Sequence, residues 1–446
     1  MKKPDRARIS QCMIVKNEEK VIEKALSWGK GIVSEQIVVD TGSTDRTVEI
    51  AERMGAKVYH FEWIDDFAAA KNYAIEQAQY EWIAFLDADE YFPPEDALRL
   101  LQCVKDLHDT PTKGILTGRI NVDNTGKVMA INTQLRVFRN IPAIRYIRRI
   151  HEHLTMLDGQ PMHLSDAVAQ ISMYHTGYGE EENAKKAGRN LKLIKQEIED
   201  HPDDYEMWGY LGQEYEIREE WEEGEKAFRK VMELMPDSEK GSYDVPTSLA
   251  ALRLLECIIH QETVDDNAVQ EVYQMITSVW PEEADYDYTL GKYYAINDDF
   301  ERGEKHLTRA LELLERYGNT SKAMMLCGEI LRAYELLAIC CYNNRHFSEC
   351  VRYATLLLRE DPQLMSTAMV LLRAFRDDEG TAAKGEQGIR EVLAFLENFY
   401  DLHSLKDRMF VLGAAQAAQY PGLILAIRSL FTPEELAAID QAMSRR

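Results

Sequence analysis

Trp82-Ile83-Ala84-Phe85-Leu86-Asp87-Ala88-Asp89-Glu90 is the stretch on which the reading of the fold turns. Five apolar residues that give way at once to acidic ones read as a buried strand reaching a sheet edge. Upstream, short β-branched runs alternate with helical patterns. Ile9 to Val15, Gln36 to Val39 and Lys57 to Phe61 read as strands, with helices predicted over Glu18 to Gly29, Thr44 to Met54 and Asp65 to Gln79. This βαβαβαβ order predicts a parallel sheet with helices on both faces and strand C-termini along one edge, where ligands bind in open α/β sheets. Downstream the pattern becomes mixed, with strand-like stretches at Gly114–Val122, Gln134–Phe138 and Ala167–Tyr174.

The acidic end of that strand carries the strongest chemical signal. In an extended segment positions i and i+2 point the same way, so Asp87 and Asp89 are expected to converge. Two such carboxylates repel, and a hard cation, Mg²⁺ or Mn²⁺ bridging to substrate phosphates, relieves them. An acidic loop leading into a helix near Pro94 would leave the same sequence trace. A second signal is Val38-Val39-Asp40-Thr41-Gly42-Ser43-Thr44-Asp45, where a strand opens into a helix and backbone donors can meet a nucleotide. Ser43, Thr44 and Asp45 are equally ordinary helix N-cap residues. Trp63 and Trp82 read as core.

After Gly179 the chain is almost wholly helical. Trp208, Leu211, Gly212, Tyr215, Gly224, Phe228, Val231 and Pro236 fall at the offsets of the ~34-residue tetratricopeptide repeat. Leu290, Gly291, Tyr294, Gly303, Leu307 and Ala310 repeat them, Gly291 and Gly303 each standing 79 residues after its counterpart. Leu337, Ala338, Cys341, Cys350, Ala354, Leu357 and Pro362 make a looser third block, and Pro246 to Pro281 a degenerate pair. Small residues at facing positions let helices approach, and such stacks usually bind peptides or other subunits; a generic helical bundle is the plainer alternative. The expected division is 1–178 α/β domain, 179–202 linker helix and 203–446 all-α repeat domain.

The 446 residues exceed one ordinary core, which stops growing near ~250–300 residues. Net charge is −24, which argues against a nucleic-acid partner. It is unevenly spread: residues 1–178 hold 22 basic and 25 acidic side chains, the remainder 30 and 51. The acidic run Glu219 to Glu225 reads as a solvated helix face. No apolar run approaches the ~18 residues of a membrane helix, and the start does not read as a signal peptide. Seven cysteines without a CxxC pair are expected as reduced, mostly buried thiols in a cytoplasm, with no zinc site.

Taken together, Ile14-Val15-Lys16-Asn17-Glu18, Asp40-Thr41-Gly42-Ser43, Asp65-Asp66-Phe67-Ala68-Ala69-Ala70-Lys71-Asn72, Asp87-Ala88-Asp89, Ile150-His151-Glu152 and Tyr174-His175-Thr176-Gly177-Tyr178 resemble the family 2 glycosyltransferases of GT-A fold. The resemblance covers about the first 180 residues. With helical repeats behind, the chain is similar to the sublancin-type S-glycosyltransferases that modify bacteriocin peptides. It implies a nucleotide-sugar site over Ile14, Val15, Glu18, Asp40, Thr41, Lys71, Asp87 and Ala88, with Asp40 and Thr41 toward uracil and ribose. Many members carry Asp where this chain has Thr41, and most carry Arg where it has Lys71, which keeps the charge and loses the bidentate fork. Asp89 is implied as a ligand of Mn²⁺ or Mg²⁺, and His175 as a second one; a structural histidine is the alternative for the latter.

His151-Glu152-His153 is the remaining cluster. Inverting sugar transfer needs a base on the acceptor, worth ~10²–10⁴-fold, and neutralisation of the departing diphosphate. Glu152 is the candidate base by position, with His151 orienting or sharing the role. Alternatively Glu152 pairs with Arg145, Arg148 or Arg149, or those arginines bind phosphate. The expected activity is metal-dependent, inverting transfer of a hexose from a UDP-sugar to a peptide Cys or Ser. A thiol, with a pKa near ~8.5, asks less of the base than a hydroxyl does. The repeats are expected to present the peptide or form a homodimer, and the acidic half to favour a basic peptide. Competing expectations are a glycan or lipid-linked acceptor, and a repeat-based scaffold with an inactive transferase domain.

Overall fold

A computed structural model of the protein describes residues 8–123, 125–176, 180–240, 245–318 and 320–443. The chain forms two compact units, Met1–Arg218 and Glu219–Arg446. In the first, β1 (Ile9–Val15), α1 (Ile22–Ser27), β2 (Glu35–Asp40), α2 (Thr47–Arg53), β3 (Lys57–His60), α3 (Phe67–Glu76) and β4 (Trp82–Phe85) alternate as the sequence predicts. There follow β5 (Glu90–Tyr91), α4 (Pro94–Asp106), β6 (Gly114–Val122), β7 (Val128–Arg139), β8 (Ile144–Ile147), β9 (His153–Met156), β10 (Leu164–Asp166), β11 (Ser172–His175), α5 (Glu180–Asp200) and α6 (Tyr205–Ile217).

Nine strands share one mixed sheet, ordered β3-β2-β1-β4-β7-β6-β11-β5 with β10 also on β6, while β8 and β9 form a separate ribbon. The first four strands are parallel, and β7 turns the sheet antiparallel against both β4 and β6. Alternation along the inner strands feeds both faces. Met13 and Val38 pack with Ile22, Leu26 and Ile50 of α1 and α2. Cys12, Ile37 and Val39 pack with Ala68, Ala74 and Ile75 of α3. Asp66 caps α3 by accepting from the Ala69 N–H at 2.8 Å.

Two strand readings need correction. β7 begins at Val128 rather than Gln134; its first half is exposed, so no burial alternation announced it. The stretch read as a strand from Ala167 first closes a turn, with Gln170 and Ile171 N–H donating to the Ala167 carbonyl, and becomes strand only at Ser172. Gly177 and Tyr178 of the last motif lie outside the described residues. By packing, α5 and α6 fall in the first unit, so the division at 178 stands as a proposal about composition and role.

The second unit is helical: α7 (Trp221–Leu234), α8 (Val245–Ile259), α9 (Asp266–Val279), α10 (Ala284–Ile296), α11 (Phe300–Tyr317), α12 (Met324–Gly328), α13 (Ile330–Asn343), α14 (Phe347–Glu360), α15 (Met365–Asp377), α16 (Glu379–Ala383), α17 (Glu386–Leu396), α18 (Leu405–Ala417), α19 (Pro421–Arg428) and α20 (Pro433–Met443). The small residues of the repeat pattern sit at close approaches. A Cβ on Gly291 of α10 would stand 2.6 Å from Leu307 Cγ of α11, and one on Gly303 would stand 3.1 Å from Cys340 Sγ of α13. Leu337, Ala338, Cys341, Cys350, Ala354 and Leu357 of the third block are all buried.

Candidate functional site

The loops after β1 and β2 are stitched together by their own polar groups. Thr41 donates to the Val15 carbonyl from N–H at 3.0 Å and from Oγ1 at 3.1 Å. Asp40 accepts from Gly42 N–H at 3.2 Å and Ser43 N–H at 3.0 Å, with Gly42 at φ +106°, a conformation that glycine adopts without strain. Glu18 N–H donates to Thr47 Oγ1 at 2.7 Å, and Asn17 Oδ1 accepts from Thr44 N–H at 2.8 Å. Asp40, Thr41 and Val15 are buried and Ile14 half-buried, so the geometry gives these residues the work of shaping the rim.

Beyond β4 the chain does not stay extended. Glu90 N–H donates to the Asp87 carbonyl at 3.0 Å, which turns Ala88 and Asp89, and the loop crosses to β5 at the far edge of the sheet. The expected convergence of Asp87 and Asp89 therefore fails: the two carboxylates serve different strands. Asp87 accepts from Arg136 Nη2 of β7 at 2.6 Å and from Lys71 Nζ of α3 at 3.3 Å. Arg136 also holds the fully buried Glu90 at 2.8 Å, with Arg119 of β6 3.6 Å away. Burial alone would raise the Asp87 pKa, but Arg136 and Lys71 outweigh it and hold the carboxyl well below the usual range. Burial likewise opposes the charge on Lys71, yet Asp87 and Glu152 raise its pKa.

Arg136 owes its position to a β-bulge. Ile115 pairs with Val137 and Leu116 with Leu135, so Arg136 is the extra residue and its side chain is re-aimed across the sheet. Its Nε is buried without a hydrogen-bond partner among the described groups. The sequence reading missed Arg136; the available signal was a lone cation inside the apolar run Leu135 to Phe138.

Asp89 faces β11 instead. Its Oδ2 stands 3.3 Å from His175 Nε2, and Thr176 donates to its backbone carbonyl at 3.1 Å from both N–H and Oγ1. Register explains the meeting: His175 lies opposite Glu90 on one side and Asn121 on the other. His175 Nδ1 is 2.9 Å from Asn121 Oδ1, while the Asn121 amide nitrogen faces the Ala130 carbonyl at 3.5 Å. Nδ1 is thus the donor and Nε2 turns toward Asp89. A carboxylate oxygen and an imidazole nitrogen side by side form a donor pair of the kind that a divalent cation can take. The separation compares with ~3.0 Å between neighbouring corners of an octahedron of ~2.1 Å bonds. Among the described residues there is no group of three or more His, Cys, Asp or Glu that could hold a metal ion, and Asp89 and His175 stand as a pair. That suits an ion which takes its remaining oxygens from phosphates and water. Asp89 and the buried Ala88 line a pocket of about 470 Å³ with Lys20, Lys24, Tyr91 and Tyr174.

Glu152 is drawn to the same network by a partner not foreseen: its Oε1 is 2.7 Å from Lys71 Nζ. The alternative in which Glu152 pairs with one of the arginines before it is not realised. Arg148 binds Asp204 at 2.7 Å, Arg149 binds Asp200, and Arg145 donates to the Ile141 and Ile144 carbonyls. Arg148 and Arg149 are therefore engaged with carboxylates rather than offered to phosphate. His151, at φ +51°, stacks on Tyr210 of α6 with centroids 3.7 Å apart, and burial lowers its pKa. One chain of contacts thus links Glu152, Lys71, Asp87 and Arg136; Asp89 of the same loop forms a second pair with His175 of β11; and Asp40 and Thr41 stand at the end of β2, beside that of β1.

Residues 10–170 match the family described as Glycosyl transferase family 2. A TPR repeat-containing protein of Synechococcus elongatus is 35% identical over 213 residues, covering 46% of this chain and 52% of that protein. The SPbeta prophage-derived glycosyltransferase SunS of Bacillus subtilis is 28% identical over 230 residues, covering 50% and 52%. The matches span about half the length of these relatives. Among solved structures, TarS 1-349 of S. aureus in complex with UDP-GlcNAc is similar over 70% of this chain and 92% of that chain, at 15% identity and a TM-score of 0.33, too slight a likeness to carry an argument.

Proposed function

We propose that this chain, whose residues 10–170 carry a family 2 glycosyltransferase domain, moves a hexose from a UDP-sugar to a Cys or Ser side chain of a peptide. The observation that carries the reading is the Asp89–His175 pair, 3.3 Å apart, with His175 oriented by Asn121 at the strand end where open α/β sheets bind ligands. A divalent ion held by Asp89 and His175 would neutralise charge on the departing diphosphate. Lys71 and Arg136 keep Asp87 ionised and in place at the rim. Glu152, seated on Lys71 and partly exposed, takes the proton from the acceptor. Asp40, Thr41, Ile14, Val15 and Glu18 shape the wall on which the nucleotide lies. The helical repeats hold the peptide or pair two copies.

Mass spectrometry of small Cys- and Ser-bearing peptides incubated with UDP-hexoses and Mn²⁺ tests this. A hexose increment on one residue is expected, lost with chelator and reduced about 10²–10³-fold in Asp89→Ala. Turnover that survives Asp89→Ala would discard the metal assignment, and the absence of both transfer and UDP release would discard the reading.

A further inference from the structure

The sheet has an unfilled place. β4 pairs with β7 only through Trp82, Ile83 and Ala84, opposite Arg139, Phe138 and Val137. Farther along, β7 continues past the end of β4 with β6 on one side only. Between its two register shifts, which leave Arg136 and Met129 as extra residues, Ala130-Ile131-Asn132-Thr133-Gln134 pairs regularly with Asn121 to Thr117. Among the described residues no strand pairs with the other edge of these five. Ala130 to Thr133 are exposed, Ile131 at 68%.

Edges left open in this way are ordinarily blunted by Lys, Pro, an inward charge or a bulge. Within these five residues there is none. Alternate residues of such an edge direct N–H and C=O outward at strand spacing, a pattern that an added extended backbone matches. The edge belongs to the site by continuity: Ala130 lies opposite Asn121, and Asn121 lies opposite His175. It also continues the line of β4, after which Leu86 leads into Asp87 to Asp89.

We propose that this edge of β7 binds the acceptor as an added β-strand, an extended and uncharged peptide segment that presents its nucleophilic side chain beside the Asp87–Asp89 loop. This rests on the transferase reading above. A second copy of the chain fits less well. Pairing the same five residues of two copies antiparallel would drive each copy's hairpin turn after Asp123 into the place beside Val137 and Phe138 that β4 holds.

The test is hydrogen exchange of the full chain with a capped hexapeptide alternating Thr and Val around one Cys, against the same peptide N-methylated at alternate residues. The first is expected to slow amide exchange within Ala130–Gln134 about tenfold, and the second to leave it unchanged. Equal protection by both peptides, or by neither, overturns the proposal. Protection that is present without peptide and grows with protein concentration assigns the edge to a second copy and overturns it as well. UDP-sugar hydrolysis measured in the same samples separates the two claims: hydrolysis without edge protection sinks only the strand addition, and edge protection without hydrolysis sinks only the donor reading.

Discussion

Arg136 is the residue on which the site's charge balance turns. It is the bulged position of β7, and it binds Asp87 at 2.6 Å and the fully buried Glu90 at 2.8 Å. Removing one member of a buried ion group strands its partners, which typically costs about 3–5 kcal/mol. Arg136→Met is therefore expected to lower the free energy of unfolding by that amount, and Glu90→Gln added to it to return a part, both read by urea titration. Equal loss in the single and double variants would show that the two side chains do not act through each other. The acidic pair Asp87 and Asp89 was legible in the sequence as a candidate site, because an apolar strand ending in carboxylates is a local pattern. Its geometry was not, since the turn at Ala88 and the cation 49 residues away are long-range facts.

Helix pairs carry the next scale. Gly291 lets α10 approach α11: an added Cβ would stand 2.7 Å from the Leu307 backbone nitrogen, which cannot rotate away. Gly291→Ala is expected to destabilise by about 1–3 kcal/mol despite alanine's better helix propensity. Gly188→Ala in α5, where a Cβ meets nothing within 4 Å, should instead gain up to ~1 kcal/mol. Calorimetric unfolding of both variants checks the contrast. At the start of α10, Glu283 is buried and makes no side-chain cap hydrogen bond. Burial first, and then the neighbouring Asp285, raise its pKa to about 7 against the opposing pull of Lys322. Here the folded state binds the proton more tightly than the unfolded one, whose carboxyl titrates near 4.5. The contribution of Glu283 to stability is thus fullest below pH ~4.5, falls as pH rises to about 7 and is flat above, a loss of at most ~3 kcal/mol. Glu283→Gln should stabilise the protein at pH 8 and make no difference at pH 4; an equal effect at both would remove the titration from the account. The repeat offsets made these helices readable beforehand, since a 3.6-residue period and small residues at fixed spacing are short-range signals.

For the whole molecule, charge is the property that composition sets directly. With 51 acidic against 30 basic side chains after residue 178, basic residues flanking the uncharged segment of the proposed acceptor peptide are expected to draw it to the chain at low salt. The apparent affinity for a Lys-flanked acceptor peptide should fall several-fold between ~0.05 and ~0.3 M NaCl as the screening length contracts below ~10 Å. A flat response would remove electrostatic steering. What the sequence by itself determined is whatever is encoded within a few residues: the alternating strands and helices up to β4, the helical repeats of the second half, the acidic strand end, and the candidacy of Asp40, Lys71, Asp89, Glu152 and His175. What only the tertiary structure decided is who meets whom. Lys71 rather than an arginine takes Glu152, Arg136 takes Asp87, Asn121 orients His175 toward Asp89, and β7 runs past β4 to leave an edge open. Those outcomes follow from a loop that crosses three strands and from a one-residue bulge. Periodicity reports which face of its own element a side chain occupies; strand order and register, which no local pattern contains, decide what stands opposite it.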